Sequence, residues 1–596
     1  MRNCDMIVKT ESNKGSVSMH LKKTINKSTN RIYLSIVHGY RDENGKVRSK
    51  TVKPIGFVDD LQKQYADPVS HFTAIAKSMN EARINAKSTT ITLDMNEQIQ
   101  PGSIRKNYGS VIYSKIYHEL ELDRFLNNAR RHEKHQFNTE SMMRLLVYSR
   151  LLWPSSKRAS FYNKDHFFDK FDFDLPDVYS ALTHFDKISD KLQQHLHEKV
   201  VAQYNRETNL VYYDVTNYYF ETEIQDQLRR NGCSKEKRKK PLVQMGLLMD
   251  KESLPIMYKI FPGNTHDSQT LMPMLAEVKK KSKTKRIITV ADKGLNSGDN
   301  IVFNTALGDG YIFSKSVRGA GVDFKEWVIN PTGYSVIGSE YRLKSKLVPD
   351  VKIQFNTVIG GTKTKKTAKV EQRWIAFYSE KYAIRAKRKR EEVLAKAADM
   401  IKNPAKYKGI VDYGAAGYIK NLKIDKDTGE ILNVEDFLVL DQDRIAEDAK
   451  YDGYYAIITS ELDSDPEHIV NMYRGLWRIE DSFKITKSVL GTRPIYVNKE
   501  NHINAHMLIC FIALLMGRII ERRLNGKYTI QKITDTLQKV ACSNIDQNIW
   551  LFDHADEVTN DMNNAFGTDF GRKRMTLQEI KCNFSQSKSD HNSQQL

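Results

Sequence analysis

Three acidic residues occupy positions where acids are unusual, and together they indicate metal-dependent chemistry. Asp214 lies inside an almost wholly β-branched and aromatic run, residues 210–220. Asp292 ends a short apolar run, residues 286–291, and Glu480 falls within the apolar stripe of a predicted helix. An unpaired buried carboxylate is costly, so each acid requires a metal ion or another cation as its partner.

Converging carboxylates are typical of sites that hold two divalent cations. Two such ions, about 3.5–4 Å apart, activate a nucleophilic oxygen and stabilise the leaving oxygen of a phosphodiester. Mg²⁺, a hard ion with oxygen ligands, suits this task. For any one of the acids a buried salt bridge is the alternative. The three acids together favour a nuclease or phosphotransferase.

A single helix is predicted to carry the third acid. Ser464 or Asp465 can cap this helix, which runs through to Lys487. Tyr473 and Lys487 lie two turns before and after Glu480, each about 10 Å away along the axis. All three side chains are therefore expected on one face.

The other two acids belong to a predicted α/β sheet. Residues 210–220 are expected to form a central strand covered on both faces. Residues 242–249 and 254–261 form a strand pair, and residues 454–459 form a strand that leads into the helix of Glu480. Sites in α/β sheets gather where strands end, so the acids are expected to meet there.

The composition favours a soluble protein with a polyanionic partner. The chain has 596 residues and a formal net charge of +20, which favours nucleic acid, although a soluble basic protein is the alternative. Five scattered cysteines without a CxxC pair indicate a reducing compartment, so a cytoplasmic location is expected. The apolar run 507–517 is too short to span a bilayer, so we expect a core helix and no membrane association.

Two regions before the sheet have DNA binding as one interpretation. Residues 31–40 and 46–55 predict a basic two-stranded ribbon joined by a turn at residues 42–45. The ribbon either lies along DNA phosphates or is a solvated, protected sheet edge. Residues 61–205 are mostly helical and form either a DNA-binding region or a scaffold for the following domain.

The motifs around the acids resemble those of a known family. They are Tyr212-Tyr-Asp-Val-Thr216, Ala291-Asp-Lys-Gly294 and the stretch from Tyr473 to Lys487. The chain resembles the DDE transposases of bacterial insertion sequences, within the insertion sequence 4 superfamily and its 1634 group. That superfamily carries a Tyr, an Arg, the catalytic Glu and a Lys on one helix. The Arg position is Leu476 here, which is a departure from the family pattern.

The resemblance implies a fold and a site. The fold is multidomain α/β, with an RNase H-like catalytic core of five mixed strands and flanking helices, interrupted by a β-rich insertion. Asp214, Asp292 and Glu480 would be catalytic and would hold two Mg²⁺ ions, which Mn²⁺ can replace. Tyr473 and Lys487 would contact DNA phosphates. The partner would be double-stranded DNA, both inverted-repeat ends and target, bound by a homodimer.

The insertion contains the strongest run of positive charge. Five of the six residues from 385 to 390 are Lys or Arg, which indicates either a grip on DNA or a solvated helix face. The candidate DNA-binding residues there are Arg385, Lys387, Arg388, Lys389 and Arg390. Trp327 and Trp374 either stack on an unpaired base or, as is commoner, belong to the core.

The predicted domains follow from these elements. They are a basic β-ribbon (1–60), a helical region (61–205), the first part of the catalytic domain (206–309), a β-rich insertion (310–450), its second part (451–525), and a helical segment with a disordered tail (526–596).

The predicted function is cut-and-paste transposition by metal-dependent hydrolysis and strand transfer. The alternatives are another RNase H-like nuclease, which would not transfer strands, and a DNA-binding derivative without catalysis. His502 and His506 have the spacing of zinc ligands, but no third ligand is evident, so no zinc site is predicted.

Overall fold

A computed structural model describes residues 18–589, apart from 27–28, 42–46, 86–97, 99–102, 132, 134–136, 233–239, 283, 338–340, 360–361, 408–412, 425–430 and 547. The strands are β1 (Met19–Ile25), β2 (Ile32–Arg41), β3 (Val47–Phe57), β4 (Lys106–Asn107), β5 (Leu210–Tyr219), β6 (Leu242–Asp250), β7 (Pro255–Pro262), β8 (Ile288–Ala291), β9 (Gly310–Ser314), β10 (Ser335–Ile337), β11 (Tyr341–Ile359), β12 (Thr362–Tyr378), β13 (Ile419–Ile424), β14 (Ile431–Leu440), β15 (Tyr454–Thr459), β16 (Ala541–Asp546), β17 (Ile549–Phe552) and β18 (Arg574–Thr576).

The helices alternate with these strands along the chain. They are α1 (Val58–Leu61), α2 (Pro68–Asn85), α3 (Ser110–Glu119), α4 (Leu122–Arg130), α5 (Thr139–Leu152), α6 (Lys157–Tyr162), α7 (Leu175–Tyr204), α8 (Leu271–Ser282), α9 (Gly298–Ala306), α10 (Val322–Ile329), α11 (Glu380–Lys402), α12 (Pro404–Tyr407), α13 (Tyr413–Ala416), α14 (Gln442–Ala449), α15 (Pro466–Arg474), α16 (Trp477–Lys487), α17 (Glu500–Arg523), α18 (Ile530–Lys539), α19 (Glu557–Phe566) and α20 (Leu577–Ser589).

The chain forms two compact units, and the smaller one comprises residues 1–111, 165–170 and 536–596. Its N-terminal sheet has three antiparallel strands in the order β1-β2-β3, one more than the predicted ribbon. The added strand is held by Asn80, whose side chain exchanges hydrogen bonds of 2.9 and 2.7 Å with the Met19 backbone. The predicted turn at residues 42–45 lies outside the described residues.

The C-terminal part of this unit begins within the predicted amphipathic helix, α18, and contains strands and further helices that were not predicted, up to residue 589; the last residues of the predicted tail, 590–596, lie outside the described residues. Its strands form a four-stranded sheet in the order β18-β17-β16-β4, accompanied by α19 and α20. Tyr108 packs edge-on against Phe552, Phe570 and Phe584, which gives this segment a core of its own. Short strands separated by polar residues show weak periodicity, so the sequence pattern did not reveal them.

The larger unit, residues 112–164 and 171–535, is built on one mixed sheet. The strand order is β10-β11-β12-β15-β9-β8-β5-β6-β7, so the sheet has nine strands where five were predicted. β5 and β9 run parallel to β8, and the other pairs in the sheet are antiparallel. A core of side chains such as Val211, Phe313 and Ile458 covers one side of the sheet.

Four strands of this sheet, β9 to β12, lie in the predicted insertion, residues 310–450. β9 lies inside the central sheet, and β12 joins the same sheet by pairing with β15. The predicted boundary at residue 310 therefore falls within the sheet. β13 and β14 form a separate two-stranded sheet, and α11 packs with them through Ala397 and Met400.

The helix α17 is the central helix of this unit. It packs against α5, α7 and β7, and it is longer than the apolar run that predicted it. Its length and hydropathy would suffice to cross a membrane, but 94% of its most apolar 18-residue window is buried inside the protein. This burial is typical of a core helix, as predicted.

Candidate active site

Two of the three predicted acids lie side by side on neighbouring strands. β5 and β8 pair in parallel, with Tyr213 next to Ala291. The next positions in this register are Asp214 and Asp292, on strands about 4.8 Å apart. Asp214 is half-buried within β5, whereas Asp292 follows the end of β8 and is exposed. The sheet therefore places the two residues next to each other in register, and the convergence of their carboxylates on one site stays a prediction.

Asp292 is held by two hydroxyl groups. Ser314, the last residue of β9, donates a hydrogen bond of 2.8 Å from Oγ to Asp292 Oδ1. The Tyr473 hydroxyl donates to the same oxygen at 3.4 Å. These bonds fix the orientation of the carboxylate between β8 and α15. Ser314 was not predicted, because a serine at a strand end carries no distinguishing sequence signal.

Glu480 is exposed on α16, so the prediction that it lies on a buried helix face is wrong. Its position nevertheless relates to the other acids through Tyr473. Burial raises the pKa of the Tyr473 hydroxyl, the bond with Ser314 lowers it, and the charges of Asp292 and Glu480 raise it. Glu480 therefore lies within electrostatic range of the hydroxyl that contacts Asp292.

The expected single helix is interrupted, which explains the different position of Glu480. Asp465 caps α15 by accepting a 3.0 Å hydrogen bond from the His468 backbone. Between α15 and α16, Gly475 donates to Met472 O and Leu476 to Tyr473 O, both at 3.0 Å. These bonds span three residues instead of four, which is the 3₁₀ pattern. The helical periodicity does not continue across this turn, so Tyr473 and Glu480 do not share one uninterrupted face.

A tyrosine from the acid-bearing strand causes this interruption. Tyr212 in β5 donates its hydroxyl hydrogen to Met472 O at 3.0 Å, so this carbonyl gains a side-chain partner at the turn. A Cβ on Gly475 would overlap the Tyr212 hydroxyl and would lie 2.7 Å from Arg478 Nη1. Only glycine permits this approach. Burial raises the pKa of Tyr212, and the neighbouring Arg478 lowers it.

Lys487 lies at the end of α16, half-buried, with Nζ 5.7 Å from the centroid of the Tyr218 ring. Asp481, one of its predicted internal partners, is bound instead by Arg518 Nη2 at 2.8 Å. Arg518 also contacts Glu521 at 2.6 Å and Ser482 Oγ at 2.7 Å. Arg518 was not predicted, and it anchors α16 to α17.

The basic helix does not present all five of its predicted DNA-binding residues. Arg390 forms an ion pair with Asp452, and both side chains are only 11% exposed. Arg388 contacts Glu392 at 3.3 Å on the helix surface. The three remaining cationic side chains, Arg385, Lys387 and Lys389, are exposed to solvent. Arg390 is a structural residue, and we exclude it from the DNA-binding set.

The two tryptophans of the insertion belong to the core. Trp374 is buried, and Trp327 packs against it with ring centroids 6.0 Å apart. Lys346 Nζ lies 4.7 Å from the Trp374 centroid and 5.0 Å from that of Trp327. The structure therefore confirms the role in the core, which was the commoner of the two roles considered for these tryptophans.

The acids provide oxygen atoms of the kind that bind metal ions, but they do not form a compact set of three ligands. Among the described residues, no three His, Cys, Asp or Glu side chains are close enough to form such a cluster. The donors near the strand ends are nonetheless carboxylate oxygens, which hard divalent cations prefer. Asp267 is a further acid nearby, with Oδ2 3.7 Å from the position of a Cβ on Gly294.

Comparison with known proteins relates the chain to transposases. Residues 21–89 match the family model for the IS1634 family transposase N-terminal domain, and residues 339–516 match that for the transposase DDE domain. The second segment includes Tyr473, Glu480 and Lys487 but begins after Asp214 and Asp292. A search of curated proteins finds no match.

Two solved structures show a remote likeness. One is described as "Mos1 transposase paired-end complex with left transposon end"; it is 14% identical, with a TM-score of 0.14, over 41% of this chain and 71% of that chain. The other is described as "Crystal structure of the Mos1 mariner paired end complex with Mn"; it is 13% identical, with a TM-score of 0.12, over 41% of this chain and 72% of that chain. TM-scores this low do not establish a shared fold. The two family matches, in contrast, support a DDE transposase of the IS1634 group.

Proposed function

We propose that this transposase binds the terminal inverted repeats of its insertion sequence, hydrolyses the DNA at each end and joins the freed 3′-hydroxyls to target DNA. The observation that carries the proposal is the register of β5 and β8, whose last pair, Tyr213 with Ala291, directly precedes Asp214 and Asp292. Tyr473 supports it, because its hydroxyl contacts Asp292 and the charge of Glu480 raises its pKa.

The catalytic core in this proposal is part of the nine-stranded sheet. The strands β7-β6-β5-β8-β9 comprise an antiparallel trio followed by two strands parallel to β5. This arrangement supports an RNase H-like core of five strands that the remaining four extend. Asp214 lies on its middle strand, Asp292 follows the neighbouring strand, and Glu480 lies on a helix against β5.

Asp214, Asp292 and Glu480 would hold two Mg²⁺ ions, for which Mn²⁺ can substitute. When bound, the ions supply activation of an attacking oxygen and stabilisation of a leaving oxygen. The chain's own residues prepare this site. Ser314 and Tyr473 orient the Asp292 carboxylate, and the Arg518 contact with Asp481 fixes the helix that bears Glu480. Lys487 would bind a DNA phosphate beside the cut.

An excision assay with the native element ends tests the catalytic assignment. Asp214→Asn, Asp292→Asn and Glu480→Gln should each abolish cutting and leave the affinity for end DNA within a few-fold of the parent value. The matched control is Glu467→Gln, a substitution of an exposed glutamate on α15. Retained cutting by any triad variant would contradict the assignment of that residue.

Strand transfer distinguishes this proposal from its alternatives. Adding target DNA to the assay should give products in which the element's 3′ ends are joined to the target. Hydrolysis without joining would instead indicate an RNase H-like nuclease, and tight binding without cutting would indicate an inactive derivative. Since two ends are joined in one event, we also propose a homodimer on DNA. Light scattering of the complex with paired ends should give two protomers.

A further inference from the structure

A basic cavity lies beside the helical layer of the larger unit and is not used by the proposed catalysis. It has a volume of about 610 Å³ and lies between the α5–α6 connection and the segment that follows α16. The polar side chains that line it are Arg150, Ser155, Ser156, Lys157, Arg493, Tyr496 and His506. Three of these residues, Arg150, Lys157 and Arg493, are cationic, and the lining contains no aspartate or glutamate.

Lys157 is the most unusual residue of this cavity. Its side chain is buried, with 5% of the residue exposed, and Nζ lies 2.6 Å from His506 Nδ1. His506 Nε2 lies 2.9 Å from Thr492 O, which can only accept, so Nε2 carries the imidazole hydrogen. His506 Nδ1 is therefore an acceptor, and Lys157 donates to it. Among the described residues that line the cavity, none is an acid that could pair with Lys157.

Arg150 binds the backbone of the cavity wall and keeps its positive charge unneutralised. Its Nη1 donates to Leu490 O and Gly491 O, both at 3.1 Å, and its Nη2 donates to Ser155 O at 2.9 Å. These partners are neutral carbonyls, so they do not cancel the guanidinium charge. Arg150 Nε is buried and has no hydrogen-bond partner among the described residues. The wall is thus preorganised around two buried cationic side chains.

Burial of cations without acids is costly, so the cavity is suited to an anion. Burial lowers the pKa of Lys157 to about 7, and the charge of Arg150 lowers it as well. An anion would reverse part of this effect by stabilising the protonated amine. Phosphate matches the lining well, because its several acceptor oxygens can bind ammonium, guanidinium and hydroxyl donors together.

We propose that this cavity binds a phosphate group through Lys157, Arg150 and Arg493. The source is either a phosphodiester of DNA or free inorganic phosphate; only the first case rests on the proposed function. The cavity wall continues to the catalytic strand, since Ile495 N donates to Tyr219 O at the end of β5. A DNA phosphate bound in the cavity would therefore hold the DNA near the C-terminal end of β5, the strand that carries Asp214.

Calorimetry with inorganic phosphate and the full chain tests the site. Parent protein should bind phosphate, and Lys157→Met and Arg493→Gln should each weaken binding at least about tenfold, the effect of losing one charged hydrogen bond. The control is Arg158→Gln, which removes an exposed charge from the residue after Lys157. Undiminished phosphate binding in both test variants would overturn the proposal. Lys157→Met keeps the length and apolar stem of lysine, and Arg493→Gln provides a second variant if the first fails to fold.

Proton uptake gives a readout that surface binding would not produce. Titrations near pH 7 in two buffers with different ionisation enthalpies give the net number of protons exchanged on phosphate binding. This number combines uptake by Lys157 with the titration of phosphate itself, so Lys157→Met should shift it toward proton release by part of a proton. The charged and titratable groups that face Lys157 are Arg150, Arg493, Tyr496, His506 and Cys510. The same net proton exchange in the parent protein and in Lys157→Met would contradict the assignment of Lys157.

The source of the phosphate is resolved with end DNA. If DNA supplies it, inorganic phosphate should compete with DNA more strongly than a chloride salt of equal ionic strength does, and Lys157→Met should flatten the salt dependence of DNA binding by about 0.9 in log–log slope. Loss of phosphate binding with unchanged DNA binding would assign the cavity to free phosphate. Because both measurements are made without cleavage, they succeed or fail independently of the catalytic assignment.

Discussion

Asp292 receives its two hydrogen bonds from residues that lie far apart in the chain. Ser314 ends a neighbouring strand, and Tyr473 precedes the helix turn. Removing a group that orients a metal-binding side chain typically lowers metal affinity or activity by about 10–100-fold. The predicted DNA contact of Tyr473 is therefore replaced, in our interpretation, by a role in positioning the carboxylate.

Tyr473→Phe tests this role. Removing only the hydroxyl should slow cutting by roughly 10–100-fold and leave DNA affinity almost unchanged, because the ring remains in place. Ser314→Ala should have a similar effect. Cleavage rates and fluorescence anisotropy measure the two quantities. A large drop in DNA affinity with a normal cleavage rate at saturating DNA would restore the phosphate contact instead.

Lys487→Ala should impair cutting far more than it lowers stability. The side chain makes a cation–π contact with Tyr218, worth about 0.5–1 kcal/mol, and Arg518 binds Asp481 of the same helix. Arg518→Ala is the contrasting variant, since it removes charged hydrogen bonds worth about 1.5–3 kcal/mol. Denaturant unfolding and end cleavage measure both. A large decrease in the stability of Lys487→Ala with normal cutting by the folded fraction would contradict a DNA role.

The acids themselves could be predicted, but several of their partners could not. A carboxylate inside an apolar run is conspicuous, which singled out Asp214 and Asp292. Ser314 and Arg518 have no such contrast with their surroundings, because serines at strand ends and arginines on helices are common. Their roles become visible only when the sheet and helices bring them to Asp292 and Asp481.

At the scale of elements, the turn between α15 and α16 depends on a side chain from β5. The sequence between Pro466 and Lys487 has a continuous apolar period, and nothing local shows that Tyr212 will reach the Met472 carbonyl. The prediction of one helix failed for this reason. The strands of the sheet were predicted well because their apolar runs are long and bounded by polar turns.

Gly475→Ala should therefore destabilise the larger unit. The new methyl group would overlap the Tyr212 hydroxyl, and overpacking of this kind costs about 1–3 kcal/mol. In a Tyr212→Leu background the cost should be smaller, because the ring is gone. Denaturant unfolding of the two single variants and the double variant gives the coupling energy. Strict additivity would show that Tyr212 does not define the turn.

The basic helix α11 makes a prediction about salt dependence. Arg385→Ala, Lys387→Ala and Lys389→Ala combined should flatten the log–log dependence of DNA affinity on salt by about 0.9 for each phosphate that these side chains neutralise in the parent protein. Lys402→Ala, at the far end of the same helix, is the control. Fluorescence anisotropy at several salt concentrations measures the slope. An unchanged slope would place the DNA-binding surface on other elements.

At the scale of the whole molecule, buried histidine makes folding sensitive to acid. Burial lowers the pKa of His197 to about 4, and the charge of Arg206, whose Nη1 lies 3.3 Å from His197 Nδ1, lowers it too. The unfolded histidine titrates near 6.5. The neutral side chain thus contributes stability that is complete above pH 6.5 and is lost as the pH falls toward 4.

His197→Asn should remove this dependence. The parent protein should lose up to roughly 3 kcal/mol more than the variant between pH 7 and pH 4, and exposed His468→Asn serves as the control. Chemical unfolding at a series of pH values measures the difference. A difference that does not vary with pH would show that His197 titrates normally in the folded protein.

The pairing of β9 with β15 has a consequence for synthesis on the ribosome. Phe313 of β9 pairs with Ile458 of β15, although the long hairpin β11–β12 and helix α11 lie between them in the chain. A nascent chain that ends before residue 454 has β9 as an uncovered sheet edge, while Asp214 and Asp292 have already been synthesised. Glu480 emerges only afterwards. With all three acids required for cutting, as proposed, a truncated product could bind DNA without being able to break it.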